Sequence, residues 1–160
     1  MSCGTTVKSV RCSVMVDGTL PQGLGLTKAQ LKAAAEACAA KSGARIGVAF
    51  RAVTVILQDD AFSAEVHLAI NGAEGATDVI TQRYDAMPGE PEGVYGELYV
   101  NVDQAIRVAP KRRGWSPAKE LLLYVAHGMD HLSGADDLNP QDYDRMRRRE
   151  LRWLKKLFER

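Results

Sequence analysis

Residues 127–137 read His-Gly-Met-Asp-His-Leu-Ser-Gly-Ala-Asp-Asp and carry the chemistry of this chain. On an α-helix each residue turns by about 100°, so His127 and His131 stand about 40° apart and one turn of rise from each other. Their imidazoles can therefore meet one cation. Gly134, three residues after the second histidine, lets the chain leave the helix and reverse. Asp137, three residues further on, then returns as a third ligand. Two nitrogens and one oxygen leave a coordination position open for water, as a catalytic zinc requires. Two histidines at this spacing can also be simple polar neighbours. Here they end an apolar helix, where unpaired imidazoles would be costly, and that favours the metal reading. Asp136 competes for the third position; the spacing favours Asp137 and leaves Asp136 as a residue that supports the ligands.

These residues need a buried helix to hold them. Ser116 and Pro117 open one as N-cap and first helical residue, with Glu120 in the first turn. The segment from Leu121 to Ala126 is apolar nearly all round, so the helix should lie in the core. Upstream, Val7 to Val16 reads as a strand, followed by a loop through Gly18, Pro21, Gly23 and Gly25. Thr27 caps an alanine-rich helix to about Ser42, with Gly43 as its stop. Arg45 to Leu57 reads as a long strand. Asp59 or Asp60 caps a short helix from Ala61 to Ile70, closed by Asn71-Gly72. Thr77–Thr81 and Gly96–Val102 are further strands, and Asp103–Val108 a short helix. Asn139-Pro140 opens the last helix, whose apolar stripe is Met146, Leu151, Leu154 and Leu157. His67, on the short second helix, has no partner pattern and reads as a surface residue. The expected architecture is α+β, one mixed sheet of about four strands with about five helices, the metal site lying at the end of a buried helix.

A chain of 160 residues fits one domain, 1–160, with one core. Apolar content of 46% and charged content of 26% argue against disorder. No apolar run approaches the roughly 20 residues that span a bilayer, and Met1 to Lys8 lacks the apolar core of a secretory signal. Cys3, Cys12 and Cys38 are odd in number and form no C-x-x-C pair, which argues against disulfides and thiolate zinc and for the reducing cytoplasm. The net charge is only +1, but Lys111, Arg112 and Arg113, and then the segment from Arg145 onward, concentrate basic residues late in the chain. That asymmetry suits either a solvated helix face or a polyanionic partner.

The peptidase class H-E-x-x-H-x-x-G-x-x-H/D shares the ligand spacing, but Gly128 stands where its general-base glutamate belongs. More of the chain resembles the YbeY endoribonuclease family, whose motif runs H-G-x-L-H-L-x-G-Y-D-H. His127, Gly128, His131, Leu132, Gly134 and Asp136 match it. Thr77-Asp78-Val79-Ile80 is similar to the family's T-D-V-L, and Gly96-Glu97-Leu98-Tyr99-Val100 to its G-D-I-x-I strand. Lys119-Glu120-Leu121, Met146 and Glu150 also fall in register. The resemblance covers roughly residues 50 to 155. It implies a single-strand-specific, metal-dependent endoribonuclease with one Zn2+ per chain. It further implies a role in 3'-end maturation of 16S ribosomal RNA and in ribosome quality control, with the small ribosomal subunit as partner.

The chain departs from that pattern at three places. Asp137 replaces the family's third histidine, and aspartate is also a sound zinc ligand. Asp130 replaces a leucine, about 300° from His127 on the helix. It either orients a histidine, serves as a base for the attacking water, or faces solvent at the helix end. Asn71 aligns with an active-site arginine, so a phosphate contact is missing there. Arg112 and Arg113 before the histidine helix, and Arg83 after the third strand, are the candidate RNA-backbone contacts. The remaining rivals are a metal hydrolase of peptides or small esters, and a non-catalytic ribosome assembly factor with structural zinc.

Overall fold

The computed structural model describes residues 11–158. Its elements follow the order β1 (Ser13–Asp17), α1 (Lys28–Ile46), β2 (Phe50–Gln58), α2 (Asp60–Asn71), β3 (Val79–Tyr84), β4 (Val94–Asn101), α3 (Val102–Val108), a 3-10 turn (Ala109–Lys111), α4 (Pro117–Leu132) and α5 (Pro140–Phe158). The four strands form one sheet in the order β1-β2-β4-β3. β1, β2 and β4 run parallel, while β3 pairs antiparallel with β4 at the edge. The fold is therefore α+β with a mixed sheet, as the sequence pattern predicts. No helix among the described residues is long and apolar enough to cross a membrane.

Local chemistry explains most element starts. Thr27 and Gln30 form a reciprocal capping box on α1, Asp59 caps α2, and Ser116 accepts from the Lys119 amide with Pro117 at the first turn of α4. The differences from the sequence reading are instructive. Gly43 does not stop α1; it is buried within the helix, which runs on to Ile46 and is capped by Gly47. Gly43 lies on the packed face of the helix, and packing there outweighs the ~1 kcal/mol that glycine costs in a helix interior. The strand read from Arg45 accordingly begins only at Phe50, and Arg45 belongs to the last turn of α1. The third strand starts two residues later than Thr77, because Thr77 is engaged by the Ser63 side chain in the preceding turn. Of the first strand, residues 7–10 lie outside the described residues.

α4 is the central helix. It packs against α1, α3, α5, β3 and β4, and Leu121, Leu123, Val125, Ala126 and Met129 are fully buried. Each such leucine contributes roughly 1.5–3 kcal/mol by leaving water, so the helix that carries the histidines is also the hydrophobic keystone. Two glycines set how closely it lies on the sheet. A Cβ at Gly128 would stand 2.8 Å from Leu98 Cδ2, and one at Gly96 would stand 2.8 Å from Leu132 Cδ2. The absent side chains draw the C-terminal half of α4 onto β4.

Candidate metal site

His127 and His131 lie in the last turns of α4, and the chain then turns back. Gly134 takes φ 96°, a conformation that costs glycine nothing and other residues strain. The Ala135 carbonyl comes back to accept from His131 Nδ1 at 3.0 Å. Asp136 Oδ1 accepts from the Asp137 amide at 2.9 Å and fixes the backbone that presents Asp137. Asp136 itself is exposed, in the supporting place its spacing suggests. Arg83 Nη1 donates to the Leu132 carbonyl at 3.0 Å, tying the edge of the sheet to the end of α4.

The ring nitrogens then converge. His127 Nε2 and His131 Nε2 are 3.1 Å apart, and Asp137 Oδ2 lies 3.5 and 3.6 Å from them. Both Nδ1 atoms are committed as donors: His127 to Glu150 Oε2 at 2.8 Å, and His131 to a carbonyl, which can only accept. In the neutral rings both Nε2 atoms are therefore bare lone pairs, so their 3.1 Å approach is not a hydrogen bond between them. Two lone pairs and a carboxylate oxygen facing one point suit a bound cation. The triangle also has the right size. A tetrahedral zinc site with ligands at 2.0–2.2 Å has edges of about 3.3–3.6 Å. Among the described residues these three are the group of His, Cys, Asp or Glu side chains arranged to hold a metal ion.

Behind His127 lies a carboxylate whose role the sequence did not disclose. Glu150 on α5 is fully buried and orients the imidazole. Histidine ligands commonly give their second nitrogen to such a carboxylate, which fixes the tautomer and raises basicity. Burial works to lower the His127 pKa, but the hydrogen bond and charge of Glu150 outweigh it and the net shift is upward. Burial lifts Glu150 above the usual carboxylate range, while the His127 contact pulls it back. The available sequence signal was positional: Met146, Glu150 and Leu154 share one helical face, so a glutamate sits in the apolar stripe of α5.

Asp130 is neither solvent-facing nor placed as a base. Its side chain is 0% exposed, and both its oxygens are taken by Arg149 Nε and Nη2 at 2.9–3.2 Å, with Arg45 Nη2 at 3.6 Å. A carboxylate clasped in this way cannot reach a water at the histidine pair. Nor does Asp130 touch a histidine directly; it adjoins Glu150, which does. Asp130 is thus one half of a buried ion pair. Arg83 does reach the end of α4, whereas Arg112 and Arg113 are exposed before its first turn. His127 lies ten residues into the helix from Pro117, about 15 Å along the axis, so the structure does not bring those two arginines to the histidines. Asn71 ends α2 as an exposed residue. His67 is half-buried on α2, its Nδ1 2.9 Å from the Gly75 carbonyl, a local contact between that helix and the loop after it.

A histidine pair closing a buried helix, with an acidic side chain on the returning loop of an α+β fold, makes a candidate metal site, and the comparisons identify the family that carries it. The family model Endoribonuclease YbeY matches residues 24–158, and the chain belongs to that family. Endoribonuclease YbeY of Rhodopirellula baltica is 36% identical over 133 residues, covering 82% of this chain and 65% of that protein. The Thermus thermophilus protein of the same name is 35% identical over 106 residues, covering 64% of this chain and 74% of its own length. The match to the first of these relatives thus spans just under two thirds of its length. A solution structure of a Thermotoga maritima protein shares the fold at a TM-score of 0.59 and 23% identity, covering 91% of this chain and 92% of that one.

Proposed function

We propose that this chain is a metal-dependent endoribonuclease acting on single-stranded RNA, with His127, His131 and Asp137 holding one divalent cation. The observation that carries this reading is the convergence of two bare Nε2 atoms and a carboxylate oxygen on one point. Nitrogen and oxygen donors in a near-tetrahedral set favour zinc. When bound, such a cation supplies Lewis acidity at a phosphodiester and lowers the pKa of water. Glu150 holds His127 in its ligating tautomer, and the Ala135 carbonyl does the same for His131. Asp137, on a loop braced by Asp136, completes the set from the solvent side.

A closed structural zinc site needs four protein ligands. Three groups converge among the described residues, and Asp130 is committed to Arg149. That favours an open, catalytic position over a purely structural ion. The peptidase reading is disfavoured by packing as well as by the missing glutamate. Position 128 faces Leu98 and Val79, so a side chain there points into the sheet and away from the ligands.

The family membership supports a biological setting in the cytoplasm, with 16S ribosomal RNA 3'-end maturation and ribosome quality control as the process and the small subunit as partner. The test is cleavage of a labelled single-stranded RNA by the metal-loaded protein. His131→Ala should abolish cleavage while RNA binding persists. Cleavage that survives this substitution, or turnover of casein in place of RNA, would remove the proposal.

A further inference from the structure

We propose that one flank of α5 is a track for a single-stranded RNA backbone, leading from the candidate metal site to a cationic, aromatic cradle at the start of α4. The proposal rests on the RNA reading above and names the surface that holds the substrate. On a helix turning about 100° per residue, with Tyr143 at 0°, Met146, Glu150 and Leu154 fall near 300°, 340° and 20°. These are the buried residues of α5 and mark its inward face. Arg147, Lys155, Arg148 and Arg152 fall near 40°, 120°, 140° and 180°, all on one side of that face, with Asp144 near 100° as the one acidic residue of α5 among them. Tyr143 to Phe158 covers about 22 Å of helix axis.

Each end of this flank is built from a cation stacked on an aromatic ring. At the metal end, the Tyr143 ring lies 6.5 Å from that of His127 and is well exposed. Arg147 stands 5.3 Å above the Tyr143 ring and donates to its hydroxyl at 2.9 Å. Arg147 Nε is also buried without a hydrogen-bond partner, 3.8 Å from Glu150 Oε1. This is a guanidinium close behind the candidate metal ligands. At the far end, Trp115, Leu151, Phe158 and the side chains of Arg148, Arg152 and Lys155 surround a hollow of about 390 Å³. The Arg112 guanidinium lies 5.0 Å from the Trp115 ring centre, and Lys119 Nζ lies 5.7 and 5.5 Å from the Trp115 and Phe158 rings. Arg112 thus acquires a role at a distance from the histidines.

Charge and composition together choose the occupant. Among the described residues, Arg112, Arg148, Arg152 and Lys155 make no ion pair with a carboxylate, although the whole chain carries only +1. A row of cations with no carboxylate partner among the described residues suits a polyanion. Aromatic faces interleaved with those cations suit unpaired bases, which stack on them, better than they suit an acidic protein segment or a duplex.

The test compares two charge-reversed pairs in the full chain: Arg152→Glu with Lys155→Glu on the track, and Lys32→Glu with Lys41→Glu, equally exposed on α1. The probe is a labelled oligouridylate of about a dozen nucleotides, titrated at several salt concentrations. The track pair should weaken binding about tenfold or more and lower the slope of log affinity against log salt by roughly 1 to 1.5, while the α1 pair stays within about twofold of wild type. A neutral pair, Arg152→Gln with Lys155→Gln, should show a smaller loss in the same direction and serves if the acidic pair fails to fold. Equal loss in both charge-reversed pairs, or no loss in either, overturns the track; cleavage that still depends on His131 would then leave the nuclease reading standing. Polyglutamate displacing the RNA as well as unlabelled oligouridylate does would assign the surface to an acidic protein and overturn the proposal. A wild-type chain that neither binds nor cleaves RNA overturns both.

Discussion

Glu150→Gln separates metal chemistry from fold stability. The substitution preserves shape but removes the charge that holds His127 Nδ1 at 2.8 Å inside a fully buried site. A glutamine can offer its carbonyl and keep the ligating tautomer with a weaker bond, or offer its NH2 and turn the lone pair of Nε2 into an N–H. Loss of a carboxylate behind a metal histidine typically weakens metal binding 10–100-fold, about 1.4–2.7 kcal/mol. Because a cation that binds only the folded chain stabilises it by mass action, the metal-loaded protein should lose the same amount. For a chain of 160 residues that amounts to roughly 3–10 °C in Tm. The metal-free protein should lose little. Glu150 Oε1 is buried without a hydrogen-bond partner, so removing its charge also removes a desolvation cost. Thermal denaturation of both proteins, with zinc and with a chelator, measures the two effects separately. Equal Tm values for the zinc-loaded proteins would refute the positioning role. So would a large drop confined to the chelated forms.

Three other outcomes follow from the same geometry. Asp130→Leu should destabilise by about 3–5 kcal/mol because it strands Arg149, whereas Asp130→Leu with Arg149→Leu should come within about 1–2 kcal/mol of wild type; a urea double-mutant cycle reads the difference. In the metal-free chain the His127 pKa is raised above 6.5, so its contribution to stability is fully present below that pH and is lost as pH rises through the raised value. Metal affinity should rise over that same interval, and Glu150→Gln should flatten both profiles; chelated and zinc-loaded unfolding curves across pH 5–9 test this. Cys38 is buried with its thiol pushed up to about 12, and Cys12 to about 11, so neither should react with iodoacetamide at about pH 8 until the chain is unfolded, as intact-mass analysis would show.

The legible part of this molecule was its local chemistry. Helical spacing brings His127 beside His131, and Gly134 with Asp137 follows from the need to reverse the chain. Ser116-Pro117 and the apolar run behind it placed α4 correctly. What stayed hidden depends on partners far away in sequence. Glu150 lies 23 residues from His127, and only the docking of α5 on α4 joins them. Asp130 stood open between a histidine-orienting, a basic and a solvent-facing role because Arg149 and Arg45 reach it from two other helices. Gly43 looked like a stop because its packing against neighbouring elements was invisible. Arg112 and Arg113 were read as RNA-backbone contacts before the histidine helix, and how far they lie from the histidines follows only from the length of α4.

The central claim is that His127, His131 and Asp137 form one cation site. Zinc titration of the chelator-treated protein, followed calorimetrically beside His127→Ala, His131→Ala and Asp137→Ala, tests it most directly. The account predicts one ion per wild-type chain and loss of that binding in each histidine variant, with at least a tenfold loss in Asp137→Ala. Wild-type protein that binds no zinc, or histidine variants that bind it as tightly as wild type, would contradict it.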